Sequence, residues 1–195
     1  LGLRIKAIVL THGHVDHVGA LQEVREATRA PVMLHADEVA EMDESIKELS
    51  YSDTFRASEI PVDRLLQDGG KIEAGKVTLE VIHTPGHTSG SMCYLWRNHV
   101  FAGDTLLING CGRTDFQSGS ASDLYDSITK VLFALPDSTT VWPAHDYQGR
   151  THSTIGAEKA GNPRVAGKSR EQFIAIMNAL NLPKPKRIDE AVPAN

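Results

Sequence analysis

Thr11-His12-Gly13-His14-Val15-Asp16-His17 is the stretch on which this chain turns. Imidazole and carboxylate are the donors that zinc, iron and manganese share. His12 and His14 are separated only by Gly13, which lets the backbone bend so that both rings can turn to one ion. Asp16 and His17 sit a helical step further on and point elsewhere, so the spacing predicts two adjacent coordination positions. Just upstream, Ile5 to Leu10 is a short apolar, β-branched run. It is expected to be a buried strand feeding directly into the cluster.

Three further pieces repeat that arrangement. Thr84-Pro85-Gly86-His87-Thr88 follows the strand-like run Val77 to His83. Gly103-Asp104-Thr105 brings a carboxylate after another apolar run, and Pro143-Ala144-His145-Asp146 brings a third histidine. Ligands delivered from several strand ends on one edge of a sandwich are how a rigid scaffold holds a metal. His35, His83, His99 and His152 follow no such pattern and read as structural or exposed. His83 is the one placed to support a ligand by hydrogen bonding.

Composition bounds the rest. The chain has 195 residues, 41% apolar and 23% charged, enough for one domain with a sizeable core and not a disordered chain. A net charge of -5 argues against a nucleic-acid binder with a basic face. No apolar run reaches bilayer length. Cys93 and Cys111 cannot build a disulfide framework. The expected location is therefore the cytoplasm, with a mitochondrial matrix, after loss of a leader, the alternative. The start at Leu-Gly-Leu, with a catalytic-type loop after the first strand, leads us to expect one domain over residues 1–195 whose first N-terminal strands are missing.

Periodicity predicts a helix from Asp16 or His17 to about Ala30, burying Val18, Leu21, Val24 and Thr28. A strand is expected at Val32 to His35, then an acidic helix from Asp37 to Leu49 and an irregular stretch to Pro61. Short strands follow at Lys71 to Ile72, Val77 to His83, Ser91 to Trp96 and Val100 to Ala102. Ser122 to Leu135 reads as one amphipathic helix with Leu124, Ile128, Val131 and Leu135 inward, and Val141 to Trp142 as a strand. A weaker helix is expected around Thr154 to Ala160. Ser169 and Gln172 form a capping-box pattern ahead of Phe173, Ile176, Met177 and Leu180. From Pro183 the tail is expected to run as an extended strap. The element order is α/β or α+β, in layers.

The four ligand-bearing pieces, in this order, resemble the metallo-β-lactamase superfamily, an αββα sandwich with its metal between two sheets. That resemblance implies one metal position at His12, His14 and His87, another at Asp16, His17 and His145, and Asp104 serving both. The second half is more specific. Gly103 to Ile108, Gly110-Cys111-Gly112-Arg113-Thr114-Asp115-Phe116-Gln117, Leu124 to Ser127, Pro143 to Tyr147, Asn162-Pro163-Arg164 and Ala191 to Asn195 resemble the persulfide dioxygenase family, which is related to glyoxalase II.

The resemblance implies one Fe(II) per chain on His12, His87 and Asp104, and oxidation of glutathione persulfide by O2 to sulfite and glutathione. It implies Arg113, Tyr147 and Arg164 as substrate contacts. His14, Asp16, His17 and His145 become supports or a second position. Its implied partners are glutathione persulfide and O2, without nucleic acid or membrane, and with a homodimer left open. Two departures stand out: Gly13 and Val15 occupy positions where the dioxygenases usually carry Ala, and residues 36 to 66 are longer and more acidic than expected. The alternative is a binuclear zinc thioesterase of glyoxalase II type, using two Zn. A third reading is a catalytically inactive glutathione- or protein-binding chain.

Overall fold

β-Branched runs, turn glycines and capped helices sort the chain into nine strands and six α-helices among the described residues. The computed structural model describes residues 2, 4–49, 61–116 and 118–182, with side chains omitted for 44–49. The strap expected from Pro183, the irregular stretch over 50–60 and Gln117 lie outside the described residues. Two compact units divide the chain: Leu1–Leu65 with Asn181–Asn195, and Leu66–Leu180.

In the first unit, β1 (Ile8–Val9) pairs in parallel with β2 (Val32–His35), in register Ile8↔Val32 and Val9↔Met33. With β3 (Arg64–Leu66) they form a sheet of order β1-β2-β3. The strand expected from Ile5 shortens to two residues, and Ile5 itself is exposed. β3 carries no sequence signal, because Leu65 points to solvent and leaves no apolar run.

The helix expected from Asp16 to Ala30 is two pieces, α1 (Val15–Val18) and α2 (Leu21–Thr28), broken at Gly19-Ala20. The break re-phases the buried stripe: Val18 and Leu21 are buried, whereas Val24 is exposed. α2 ends where Arg29 enters the left-handed region at φ 54°. α3 (Glu38–Leu49) follows as expected, and Leu10, Val18, Leu21, Val32, Leu34 and Met42 make this unit's core.

The second unit is a six-stranded sheet in the order β4 (Lys71–Ala74), β5 (Val77–His83), β6 (Met92–Trp96), β7 (His99–Gly103), β8 (Thr140–Pro143), β9 (Ser153–Thr154). Neighbours run antiparallel except β7 and β8, which are parallel and joined through a helical crossover. Cys93, Val100, Ala102 and Val141 on one face pack against Leu124, Ile128, Leu132, Ile155, Phe173 and Met177 from the helices.

The single helix expected over 122–135 is instead α4 (Ala121–Asp126), a π turn (Ser127–Val131) and a 3-10 turn (Leu132–Ala134). The Leu132 N–H bonds back to the Ser127 carbonyl, five residues away, and this wider turn delays the inward face by one residue. Leu132 is buried and Val131 is exposed, the reverse of the expectation for Val131. α5 (Ile155–Gly161) is capped by Thr154. In α6 (Arg170–Asn178) both halves of the Ser169–Gln172 capping box are made. Among the described residues no helix is long and apolar enough to cross a membrane.

Candidate functional site

In the first unit, the chain leaves β1 with the Leu10 N–H on the Met33 carbonyl, at 3.1 Å. It then turns through His12-Gly13-His14 into α1. His12 is buried, its ring 4.6 Å from that of His14 and 3.9 Å from that of His17. Three imidazoles thus converge within one loop, with Asp16 beside them, its carboxylate 3.8 Å from His17 Nε2.

Gly13 is required here. The α3 backbone passes so close that a Cβ at position 13 would lie 2.7 Å from Met42 N, and the Gly13 N–H donates to the buried Glu38 carboxylate at 2.7 Å. Gly13→Ala should therefore cost about 1–3 kcal/mol, because backbone rather than a yielding side chain must move. A urea titration reads this as a lower midpoint at unchanged slope.

The second unit gathers His87, Asp104 and His145. β5 runs out into Thr84-Pro85-Gly86-His87, a turn with its own bonds: Thr84 N–H to the Ser91 carbonyl at 2.8 Å and Gly86 N–H to the Thr88 carbonyl at 2.9 Å. His83 Nε2 lies 2.8 Å from the Ser89 carbonyl, so His83 buttresses the turn carrying His87. Asp104 leaves β7 at a register irregularity, with Gly103 at φ 51°, a local kink that re-aims the next side chain. Thr84 Oγ1 and Thr105 Oγ1, 2.9 Å apart, tie the two turns together. Ala144 N–H on the Gly103 carbonyl, at 3.1 Å, brings the His145 turn alongside.

The donors face one another. His87 Nε2 is 3.6 Å from Asp104 Oδ2, and His145 Nε2 is 3.6 Å from Asp104 Oδ1. Both spacings are too long for hydrogen bonds and slightly wider than the ~3 Å that separates neighbouring donors on a metal with ~2.1 Å bonds. His87 Nδ1 lies 2.7 Å from the Arg113 carbonyl. A carbonyl only accepts, so Nδ1 donates and Nε2 is the atom turned toward Asp104, the usual support of a metal-binding histidine. The donor set fits a divalent cation.

The predicted substrate contacts divide. The Arg113 guanidinium grips Asp115 with two bonds of 2.7 Å and lies 3.7 Å over the Phe116 ring. Its hydrogen bonds hold the Asp115 carboxyl below the ordinary range. Tyr147 is 89% exposed, its ring stacked parallel to His145 at 6.2 Å. Arg164 Nη1 donates to the Cys111 carbonyl at 2.6 Å. Cys93 is buried, which pushes its thiol up to about 11, and burial raises that of Cys111 too.

Three structural carboxylates have no role assigned to them from the sequence. Glu38 holds Gly13. Asp146 is wrapped by the guanidinium of Arg150, whose hydrogen bonds depress its pKa, and it also accepts the Arg150 N–H at 2.7 Å. Glu158 is buried in α5. Its helical spacing from buried Ile155 and Asn162 is the one signal that points to it.

A family model for the metallo-beta-lactamase superfamily matches residues 1–145. The Bos taurus protein named persulfide dioxygenase ETHE1, mitochondrial, is 40% identical over 200 residues, covering 100% of this chain and 70% of its own. The crystal structure of ETHE1 from Myxococcus xanthus superposes with a TM-score of 0.82 at 46% identity, covering 98% of this chain and 76% of that one. That of TTHA1623, titled as a di-iron-bound form, matches with a TM-score of 0.70 at 32% identity, covering 83% of this chain and 78% of the other.

Proposed function

The chain belongs to the metallo-β-lactamase superfamily, within its ETHE1-like persulfide dioxygenase family, and on that ground we propose that it is an iron-dependent persulfide dioxygenase. Its substrate is glutathione persulfide, which it oxidises with O2 and water to sulfite and glutathione. The observation that carries this reading is the 40% identity across the whole chain to a protein of that name.

His12, His87 and Asp104 are the residues that would hold the metal. Iron(II) held by two histidines and one carboxylate would supply the redox chemistry that O2-dependent oxidation of sulfur needs. His87 would bind through Nε2, because the Arg113 carbonyl holds its Nδ1. Asp104 would supply the negative charge that draws a divalent cation. Arg113, with Tyr147 and the guanidinium nitrogens of Arg164 not given to Cys111, takes the carboxylates of the tripeptide. For Arg113 this means exchanging Asp115 for substrate. The cell compartment proposed is the cytoplasm or a mitochondrial matrix, and the domain proposed is a single one over the whole chain.

Protein purified without added metal should carry about one iron per chain and consume oxygen when given glutathione persulfide. Tightly held zinc with no oxygen uptake rejects the reading. One observation favours a second: Asp104 faces His145 as well as His87, and a carboxylate between two donor sets suits a two-metal site. With Asp16 and His17, those residues would hold two zinc ions, which would supply the Lewis-acid chemistry of an acyl-glutathione thioesterase. Zinc-restored hydrolysis of lactoylglutathione would promote it.

A further inference from the structure

The segment 109–113 is held peptide by peptide. Asn109 N–H donates to Glu158 Oε2 at 2.9 Å. The Gly110 carbonyl accepts Asn162 Nδ2 at 3.0 Å, and the Cys111 carbonyl accepts Arg164 Nη1 at 2.6 Å. Gly112 N–H donates to the Asp104 carbonyl at 2.6 Å. The Arg113 carbonyl then takes His87 Nδ1 at 2.7 Å. Gly112 lies flat against that ring, for a Cβ there would be 2.7 Å from His87 Nδ1. The position of His87 is thus continuous with α5 and the turn after it.

Glu158 anchors this chain of bonds. It is 1% exposed, and burying a carboxylate is costly unless donors surround it. Oε1 accepts Ser153 Oγ at 2.5 Å, and Oε2 accepts both Asn109 N–H and Asn162 Nδ2, the latter at 2.8 Å. A helix needing only to pack would bury an aliphatic residue at this position. The group it secures is Asn109, which sits in the left-handed region at φ 57°, where few residues other than glycine and asparagine are found.

We infer that Glu158 and Asn162 are positioning residues: they fix the 109–113 segment so that the Arg113 carbonyl holds the His87 ring by Nδ1 with Nε2 turned to Asp104. The inference rests on the proposal that His87 and Asp104 hold the metal, and it adds residues outside that set. Arg164 completes the clamp through Cys111.

The full chain tests this, first metal-free and then with iron(II). In the metal-free protein the His87 Nδ1 proton, held by the Arg113 carbonyl, gives a slowly exchanging low-field NMR resonance, assigned by its disappearance in His87→Gln. Glu158→Leu and Asn162→Ser should lose that resonance and bind iron about 10-fold more weakly or worse. Glu158→Gln should keep both, because its amide oxygen still serves Asn109 while the Ser153 hydroxyl accepts from the new amide. Ser153→Ala touches only Oε1 and should keep the resonance.

Retention of the resonance in Asn162→Ser, or its loss there with unchanged iron affinity, overturns the inference. So does equal loss in Ser153→Ala, which would mean general loosening. Asn162→Ser carries the test alone if Glu158→Leu does not fold. Because the resonance is read without metal, the clamp can stand even where the wild-type protein fails to oxidise persulfide.

Discussion

Asp104→Ala yields a folded protein that no longer retains iron and consumes oxygen with glutathione persulfide more than ~100-fold more slowly than the wild type. That loss exceeds the range produced by removing only the hydrogen-bond support of a metal ligand. The reasoning is electrostatic. His87 and His145 each direct Nε2 at a separate oxygen of Asp104, and this carboxylate is the charge between them. Two neutral imidazoles compete poorly with water for a divalent cation once that charge is gone. The fold should survive, because the carbonyl of residue 104, which accepts Gly112 N–H, is untouched by the substitution. Asp104→Asn separates charge from shape: it keeps the volume and should still lose most of the iron. Elemental analysis of the purified variants and an oxygen electrode read the two effects, and an Asp104→Ala protein with full iron and full turnover would contradict the assignment.

Gly86→Ala should be the most damaging single methyl in the described chain. A Cβ there would lie 2.2 Å from Leu124 N and 2.4 Å from Leu124 Cα, so it meets the backbone of α4 rather than a movable side chain. Gly86 also sits at φ 134°, which L residues rarely adopt. Its carbonyl accepts Ser120 N–H at 2.8 Å, so the same contact places the N-terminus of α4. Displacing α4 pulls on Leu124, a fully buried core residue, and on the turn that carries His87. Overpacking and backbone strain together should cost about 3 kcal/mol or more. Thermal unfolding should show a fall of several degrees or an insoluble product. A variant as stable as the parent would mean that the turn and α4 are less tightly joined than their hydrogen bond implies.

Much of this was legible in the residues, for reasons that differ between elements. The loop from Thr11 to His17 announces itself because three imidazoles and a carboxylate within seven residues are rarely assembled except to hold an ion. Val77 to His83 is read correctly because its β-branched residues favour a strand, and Val32 to His35 because its short apolar run, set off by Pro31, is too short for a helix. The π turn at Ser127 to Val131 could not be read, since a five-residue hydrogen bond leaves the apolar spacing almost unchanged and only shifts which residue faces inward. β9 at Ser153–Thr154 is too short and polar to carry a pattern. Glu158 does not stand out because a glutamate in a helix is ordinarily solvated, and its burial emerges only when Asn109 and Asn162 converge on it. The single-residue partners of Arg113 and Arg164 are likewise invisible, because a guanidinium reads the same whether it awaits a ligand or grips a neighbour.

The central claim is that one iron sits on His12, His87 and Asp104. An anomalous X-ray scattering measurement on crystals of the protein as purified, with data collected on both sides of the iron and zinc absorption edges, tests it most directly. The account predicts a single peak, already present between the two edges and lost below the iron edge, within bonding distance of His12 Nε2, His87 Nε2 and an Asp104 oxygen. Two peaks that appear only above the zinc edge, with His145 and Asp16 among the ligands, would contradict it.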